Sequence, residues 1–316
     1  MSISNHPVGL TAASTLPSPV GGLRAFFRLT RPHTVLGTTC QVIAVFIVVA
    51  AGAPLGASAW PVLALTWLGS QAANLYVVGL NQLTDVAIDR LNKPDLPLAG
   101  GAMSIRLVRV IVSAAALAAL AIGASQSIYL LATLAAVMLI GTLYSLPPRF
   151  KGRPLPAAIS IALARGVIAN LGLFLHYRHA LQVTPSTGLV WALLFFFGFG
   201  LVIALYKDIP DRDGDGQFAV RTYAVRWGRR RVYNLGRWLM AAIYLLAVVA
   251  CVALLPPAAS LALAAVHLLA LGVFWALSLT TDPTRPRSMA RLYLALWGLF
   301  YAEYAILSLH ALLSAA

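Results

Sequence analysis

Acidic residues are scarce in this sequence: nine Asp and Glu in 316 residues, against 23 Lys and Arg. Charge of either sign makes up only 10% of the chain, where a soluble domain carries about 25%. With 60% hydrophobic residues, that shortage excludes an ordinary water-soluble domain and points to an all-α membrane protein. Cysteine is nearly absent too. Cys40 and Cys251 form no CxxC pair and fall in apolar runs, so no disulfide framework or thiolate metal site is expected. Residues 1–22 lack a basic stretch followed by an apolar core, so no signal peptide is read there and they are expected to form a disordered tail. No basic groove interleaved with aromatic residues suggests nucleic acid.

What the chain does have is long apolar runs. A membrane helix needs about 20 such residues. Nine spans are expected, over 34–53, 60–83, 105–123, 126–144, 156–177, 187–206, 232–254, 258–280 and 289–312. Residues 23–316 then make a single transmembrane domain, with 23–31, "LRAFFRLTR", as a short amphipathic surface helix. Of the 23 basic residues, 21 precede the first span or surround the 2–3, 4–5, 6–7 and 8–9 loops. Arg178 lies on the opposite side, and Arg165 within span five. The positive-inside rule makes the loaded side, and with it the N-terminus, cytoplasmic. Much of the net charge of +14 is topological in this reading, Arg229–Arg231 included.

The few acids are not scattered. Seven of the nine fall within 85–95 and 208–215. Asn81, Asp85 and Asp89 recur every four residues, which places them on one helix face at the end of span two. Asp208, Asp211 and Asp215 are spaced i, i+3, i+7 after span six, at the same side of the membrane. Pro210, Gly214 and Gly216 predict a short or irregular helix there. Four helices separate the two clusters, which suggests a repeat of four-helix units around a shared site. Carboxylates gathered beside lipid repel one another unless a hard cation lies between them. Mg²⁺ takes one or two carboxylates and completes its shell with water and phosphate oxygens. Lys and Arg can hold further phosphate oxygens, and the apolar bundle can hold a long hydrocarbon. A prenyl diphosphate combines both parts. Asp95, Asp213 and Asp282 read as loop acids balancing nearby arginines.

Two charges lie inside the apolar runs. Arg165 stands about 14 Å into span five at 1.5 Å per residue, and Glu303 stands inside span nine. Charges at such depth usually pair, and these two could pair with each other. Arg165 reads equally as a ligand for a substrate carboxylate or diphosphate oxygen and as half of a structural ion pair. Glu303 reads as structural. Asn170 reads equally as a partner of acceptor oxygens and as a helix-to-helix contact, and His33 as a substrate-orienting group or a neutral interfacial side chain. His176 and His267 have no metal-ligand spacing.

These motifs resemble those of the UbiA-type intramembrane aromatic prenyltransferases. The family's first motif, N-x3-D-x3-D, is met by Asn81, Asp85 and Asp89, and its second, D-x2-D-x3-D, by Asp208, Asp211 and Asp215. Its 4–5 loop carries a Tyr followed by Lys or Arg, as does "YSLPPRFKGR" with Tyr144, Arg149 and Lys151. The stretches "RPHTVLGT", "NKPDLPLAGG", "RGVIANLGLFLHY" and "KDIPDRDGD" are most similar to homogentisate prenyltransferases, and the resemblance covers about residues 24–310. It implies a nine-helix bundle with Mg²⁺ as cofactor, held by Asn81, Asp85, Asp89, Asp208, Asp211 and Asp215. Catalytic roles fall to Asp85, Asp89, Asp211, Asp215 and Arg165. Substrate contacts fall to Asn81, Arg90, Lys93, Tyr144, Arg149, Lys151, Lys207, His33 and Asn170. The implied partners are a C20 prenyl diphosphate (phytyl or geranylgeranyl), homogentisate, which loses CO₂, and membrane lipid. Ala- and Arg-rich usage suggests a bacterial cytoplasmic membrane, with the site facing the cytoplasm. Other readings are the same fold acting on another aromatic acceptor, cyclisation of the prenyl chain, and a cation-coupled transporter. Transporter sites usually lie near the midplane, whereas these acids sit at one end of the bundle.

Overall fold

The acids are carried by a bundle of long helices. A computed structural model describes residues 19–184, 189–218, 220–254 and 257–315. It contains α1 (Pro19–Leu29), α2 (Pro32–Ala50), α3 (Ala59–Thr84), α4 (Val86–Asn92), α5 (Ile105–Gln126) and α6 (Ile128–Ser145). Next come α7 (Pro154–Ala162), a π-helical segment (Leu163–Ile168) and α8 (Ala169–Leu181), which together make one membrane-length rod. α9 (Val190–Gln217), α10 (Tyr223–Trp227), α11 (Arg229–Leu254), α12 (Pro257–Leu279) and α13 (Pro286–Ala315) complete the chain. Among the described residues there are no strands and nine helices or helix rods long and apolar enough to cross a membrane. Each corresponds to one expected span, displaced by a few residues; positions 187 and 188 of the sixth lie outside the described residues.

Two apolar cores divide the bundle. One is built from α2, α3, α5, α6 and α8 around Val45, Leu134 and Tyr177. The other is built mainly from α9, α11, α12 and α13 around Phe199, Tyr244 and Phe300. The rod of α7 and α8 stands between them, packing on α9 at one end and on α2 and α6 at the other. Helix α1 lies over a third, smaller core: Leu29 and Ala25 are buried while Leu23 and Phe27 are exposed. It begins at Pro19, four residues before the expected boundary at 23; the rest of the expected tail, 1–18, lies outside the described residues.

Two local features depart from expectation. The sixth span does not end near 206. Helix α9 runs unbroken through Pro210 to Gln217, about 42 Å at 1.5 Å per residue, beyond the ~30 Å hydrocarbon layer. An interior proline removes its own N–H bond and crowds the carbonyl four residues back, a cost that contacts made beyond it offset by holding the last turns in place. Gly214 permits one of these: a Cβ there would meet Asn92 Oδ1 at 1.9 Å. The helix carrying Asn81, in contrast, does break. α3 and α4 meet at Asp85, whose backbone (φ −113°, ψ 12°) lies in the bridge region where many active-site residues sit.

The π-helical segment is the third irregularity. A π turn carries one extra residue and is frequent at functional sites. Here it leaves the Arg165 and Gly166 carbonyls to side chains. Gln41 Nε2 donates to Arg165 O at 3.0 Å, and Asn170 Nδ2 donates to Gly166 O at 2.9 Å. Gly166 lets the turn approach α9, since a Cβ would stand 2.5 Å from Phe196 O. Gly166→Ala is therefore expected to force the two helices apart and destabilise the protein by about 1–3 kcal/mol, the usual range for overpacking. Thermal unfolding in detergent checks this; an unchanged midpoint would mean that the contact yields freely.

Candidate active site

The two acidic segments face one another across α4 and α9. Asn92 Nδ2 donates to Asp215 Oδ1 at 3.3 Å, and Lys93, just past α4, forms an ion pair with Asp211. Helix spacing already places Asn81, Asp85 and Asp89 together. The chain then turns so that the residues following α4 meet the last turns of α9.

Most of these acids have a nearby donor. Asp85 Oδ1 accepts from Lys151 Nζ at 2.6 Å and Arg149 at 3.4 Å, and its Oδ2 accepts from Asn81 at 2.9 Å. Lys151 also donates to Thr84 Oγ1 at 2.8 Å. Lys207 Nζ lies 2.8 Å from Asp208 Oδ1 and donates to the Tyr144 hydroxyl at 2.8 Å. Asp89 is different. It is buried, and among the described residues its carboxyl makes no ion pair or hydrogen bond. Burial pushes it up to about 6; Asp85 and Asp211 add repulsion, and Lys93 and Arg31 act against both. Burial also lowers Lys151, against the pull of Asp85.

All of these side chains except Thr84 and Arg149, which line neither this cavity nor the next, border a polar cavity. A second cavity, mostly apolar, continues from it into the bundle, and the two share Arg31, His33, Asn81, Tyr144, Lys207 and Tyr293. Arg165 lines the apolar part. Its guanidinium lies 4.9 Å from the Trp297 ring, and among the described residues it has no acidic partner. His33 stands edge-on to Trp297 at 5.0 Å. Arg165 and Glu303 are therefore not paired with each other. Glu303 sits in a separate pocket, with Oε2 3.8 Å from His267 Nε2.

Other expected residues fall outside the cavity. Arg90 is exposed on α4 and lines neither chamber. Asn170 is fully buried and its amide is engaged by Gln41, Gly166 and Tyr304, so it braces the π segment. Asp213 pairs with Arg229 at 2.7 Å and Asp282 with Arg285 at 3.2 Å, away from the site. Residues not singled out in the sequence are Arg31, Asn92, Tyr293 and Trp297. Asn92 carried a legible signal, since it continues the face of Asp85 and Asp89 at i+7. Arg31 holds a left-handed backbone (φ 52°) ahead of Pro32, a conformation uncommon for a residue with a side chain.

The donor set suits a hard divalent cation: it is all oxygen and mostly carboxylate. Among the described residues no three His, Cys, Asp or Glu side chains already form a cage. A site that supplies one or two carboxylates per ion and leaves room for water and phosphate needs none. Lys93, Lys151 and Lys207 pair with Asp211, Asp85 and Asp208 respectively.

Nine apolar rods among the described residues, with facing acid clusters at one end above an apolar chamber, define an intramembrane site for a molecule with an anionic head and a hydrocarbon tail. The chain belongs to the UbiA prenyltransferase family, whose sequence profile matches residues 42–302. It is 38% identical to the homogentisate phytyltransferase of Synechocystis sp., over 90% of this chain and 94% of that one. It is 34% identical to the homogentisate geranylgeranyltransferase of Triticum aestivum, over 90% of this chain and 72% of that one. The fold matches a UbiA homologue from Archaeoglobus fulgidus, solved with GPP and Mg²⁺, with a TM-score of 0.67 and 19% identity over 91% of this chain and 99% of that one.

A cation bound at Asp89 must displace its proton below about pH 6. The affinity for Mg²⁺ should therefore hold above that value and weaken by up to about tenfold per pH unit below it. Calorimetric titration between pH 5 and 8 checks this; constant affinity would place the cation elsewhere.

Proposed function

We propose that this protein transfers a C20 prenyl group, phytyl or geranylgeranyl, from its diphosphate to homogentisate in a Mg²⁺-dependent, decarboxylating reaction. The observation that carries the reading is the direct contact between the two acidic segments above an apolar chamber lined by Arg165, which has no acidic partner among the described residues. The named activities of the relatives support both donor and acceptor classes.

Asn81, Asp85 and Asp89 on one side, and Asp208, Asp211 and Asp215 on the other, would hold the metal. When bound, Mg²⁺ draws charge from the departing diphosphate. Lys93, Arg149, Lys151 and Lys207 already lie on the carboxylates, and they are placed to move onto phosphate oxygens, where charge-assisted bonds are strong. Tyr144 keeps Lys207 at the junction of the two chambers. The apolar chamber takes the hydrocarbon and keeps water from the allylic carbon. As the C–O bond breaks, its electron pair leaves on the diphosphate. A ring carbon of the acceptor forms the new C–C bond and then loses its proton. The acceptor's carboxylate departs as CO₂, leaving its bonding pair on the side-chain carbon, which takes up a proton. Arg165 orients that carboxylate through a two-pronged contact, and His33 borders the same space. The excess of basic residues at the site's end supports a cytoplasmic position for this end in a bacterial cell.

With purified protein, homogentisate is expected to be prenylated in preference to 4-hydroxybenzoate, with mass spectrometry showing loss of CO₂. EDTA is expected to abolish turnover and added Mg²⁺ to restore it. Arg165→Lys keeps the charge but loses the fork, so it should raise the acceptor KM by about tenfold, worth about 1.4 kcal/mol, with the donor KM little changed. Prenylated 4-hydroxybenzoate as the sole product would overturn the acceptor assignment, and full turnover in EDTA would overturn the metal.

A further inference from the structure

Arg237 lines neither chamber of that site. Its helix, α11, starts at the acid-bearing end, where Arg229 pairs with Asp213 and donates to Ile209 O. Arg237 lies about 12 Å further along at 1.5 Å per residue. The rest of the helix, Trp238–Leu254, carries no charge. Arg237 thus marks the border between headgroups and hydrocarbon, the depth at which Trp and Tyr gather. They gather here. The guanidinium lies 4.4 Å from the centre of the Trp275 ring and 5.9 Å from that of Tyr233. Trp238 stands edge-on to Trp275 at 5.3 Å and is 66% exposed. The Tyr233 hydroxyl donates to Ser278 O at 2.5 Å, which ties α11 to α12 and fixes the cluster.

Rings are the only company this cation has. Among the described residues Arg237 makes no ion pair or hydrogen bond, and its Nε is closed off without a partner, whereas its two terminal nitrogens keep accessible surface. An aromatic face is a weak partner for a guanidinium; an oxyanion held by both prongs is a strong one. Asn234 and Arg230, three and seven residues earlier, lie on the same helix face. Both are exposed. Asp282 stands near Arg230 but already pairs with Arg285 and accepts from Thr284. Below the polar groups the face turns apolar, with Leu245 two turns past Trp238 and 51% exposed. A free anion would satisfy only the upper part. A molecule with an anionic head and acyl chains covers both.

We infer that the face of α11 beside α12 binds a phospholipid of net negative charge. Its phosphate is held by the Arg237 fork and Asn234, under the field of Arg230, and its glycerol and upper acyl chain lie on Trp238 and Trp275. This inference does not depend on the reaction proposed above.

The test uses the full chain in detergent and phosphatidylglycerol with a diazirine high on one acyl chain, compared with phosphatidylcholine bearing the same chains. Photolabelling and peptide mapping are expected to mark α11 around Trp238–Leu245 and α12 around Trp275. Phosphatidylglycerol should label there about tenfold more than phosphatidylcholine, the gain expected for a charge-assisted pair at a partly wet site. Arg237→Gln should remove that preference with the unfolding midpoint retained, and Asn234→Ala should reduce it about threefold. Arg226→Gln, an exposed charge at the same end but on α10, should leave it unchanged. Soluble glycerophosphoglycerol should not compete at lipid concentrations. Equal labelling by the two lipids in the unaltered protein would overturn the proposal, and that comparison holds even if a variant fails to fold. So would an undiminished preference in folded Arg237→Gln, an equal loss in Arg226→Gln, or full competition by the soluble headgroup.

Discussion

Mutual repulsion among carboxylates in a poorly hydrated pocket is the constraint around which this structure is arranged. Five aspartates, Asp85, Asp89, Asp208, Asp211 and Asp215, border one chamber at the end of an apolar bundle. Uncompensated charge there would be prohibitive. Compensation comes from elements distant in sequence: Lys151 and Arg149 from the loop after α6, Lys93 from the end of α4, and Lys207 from α9 itself. The same contacts close the site. Lys93 and Asn92 tie the α4 end to the last turns of α9, and Lys151 ties the α6–α7 loop to the break at Asp85. Under the proposed function, a basic residue that neutralises an acid here would also serve to neutralise a phosphate oxygen of the donor, so structural and substrate-binding roles would fall to the same side chains.

Depth sets a second division. The acids lie where helices leave the apolar layer, whereas Arg165 lies below them in the apolar chamber. A guanidinium there needs a partner, and the face of Trp297 supplies a weak one. The π segment explains how the residue can sit in that position at all. It turns two backbone carbonyls toward Gln41 and Asn170, which meet their hydrogen-bond demand without using the Arg165 side chain.

Much of this was legible in the sequence, and for definite reasons. Apolar runs fix the number of spans because lipid demands about 20 residues each. The spacing of Asn81, Asp85 and Asp89 pointed to a shared face, and all three border one chamber although the helix breaks at Asp85. Contacts between distant segments were not legible. Nothing near Asn92 announces Gly214, and nothing near Arg165 announces Trp297. The continuity of α9 through Pro210 was misjudged because proline propensity is local, whereas the contacts that hold the following turns come from α4. Arg165 and Glu303 could have paired, since both are charges inside spans. Their chambers proved to be different, a fact of packing that no residue count reveals.

The account's central claim is that the facing aspartates form a divalent-metal site for a prenyl diphosphate. Equilibrium binding of a non-reacting thiolodiphosphate analogue of the donor tests it most directly. Calorimetry should show binding in Mg²⁺ that is lost in EDTA and lost in Asp211→Asn with the fold retained. Undiminished binding without metal, or in that variant, would contradict the account.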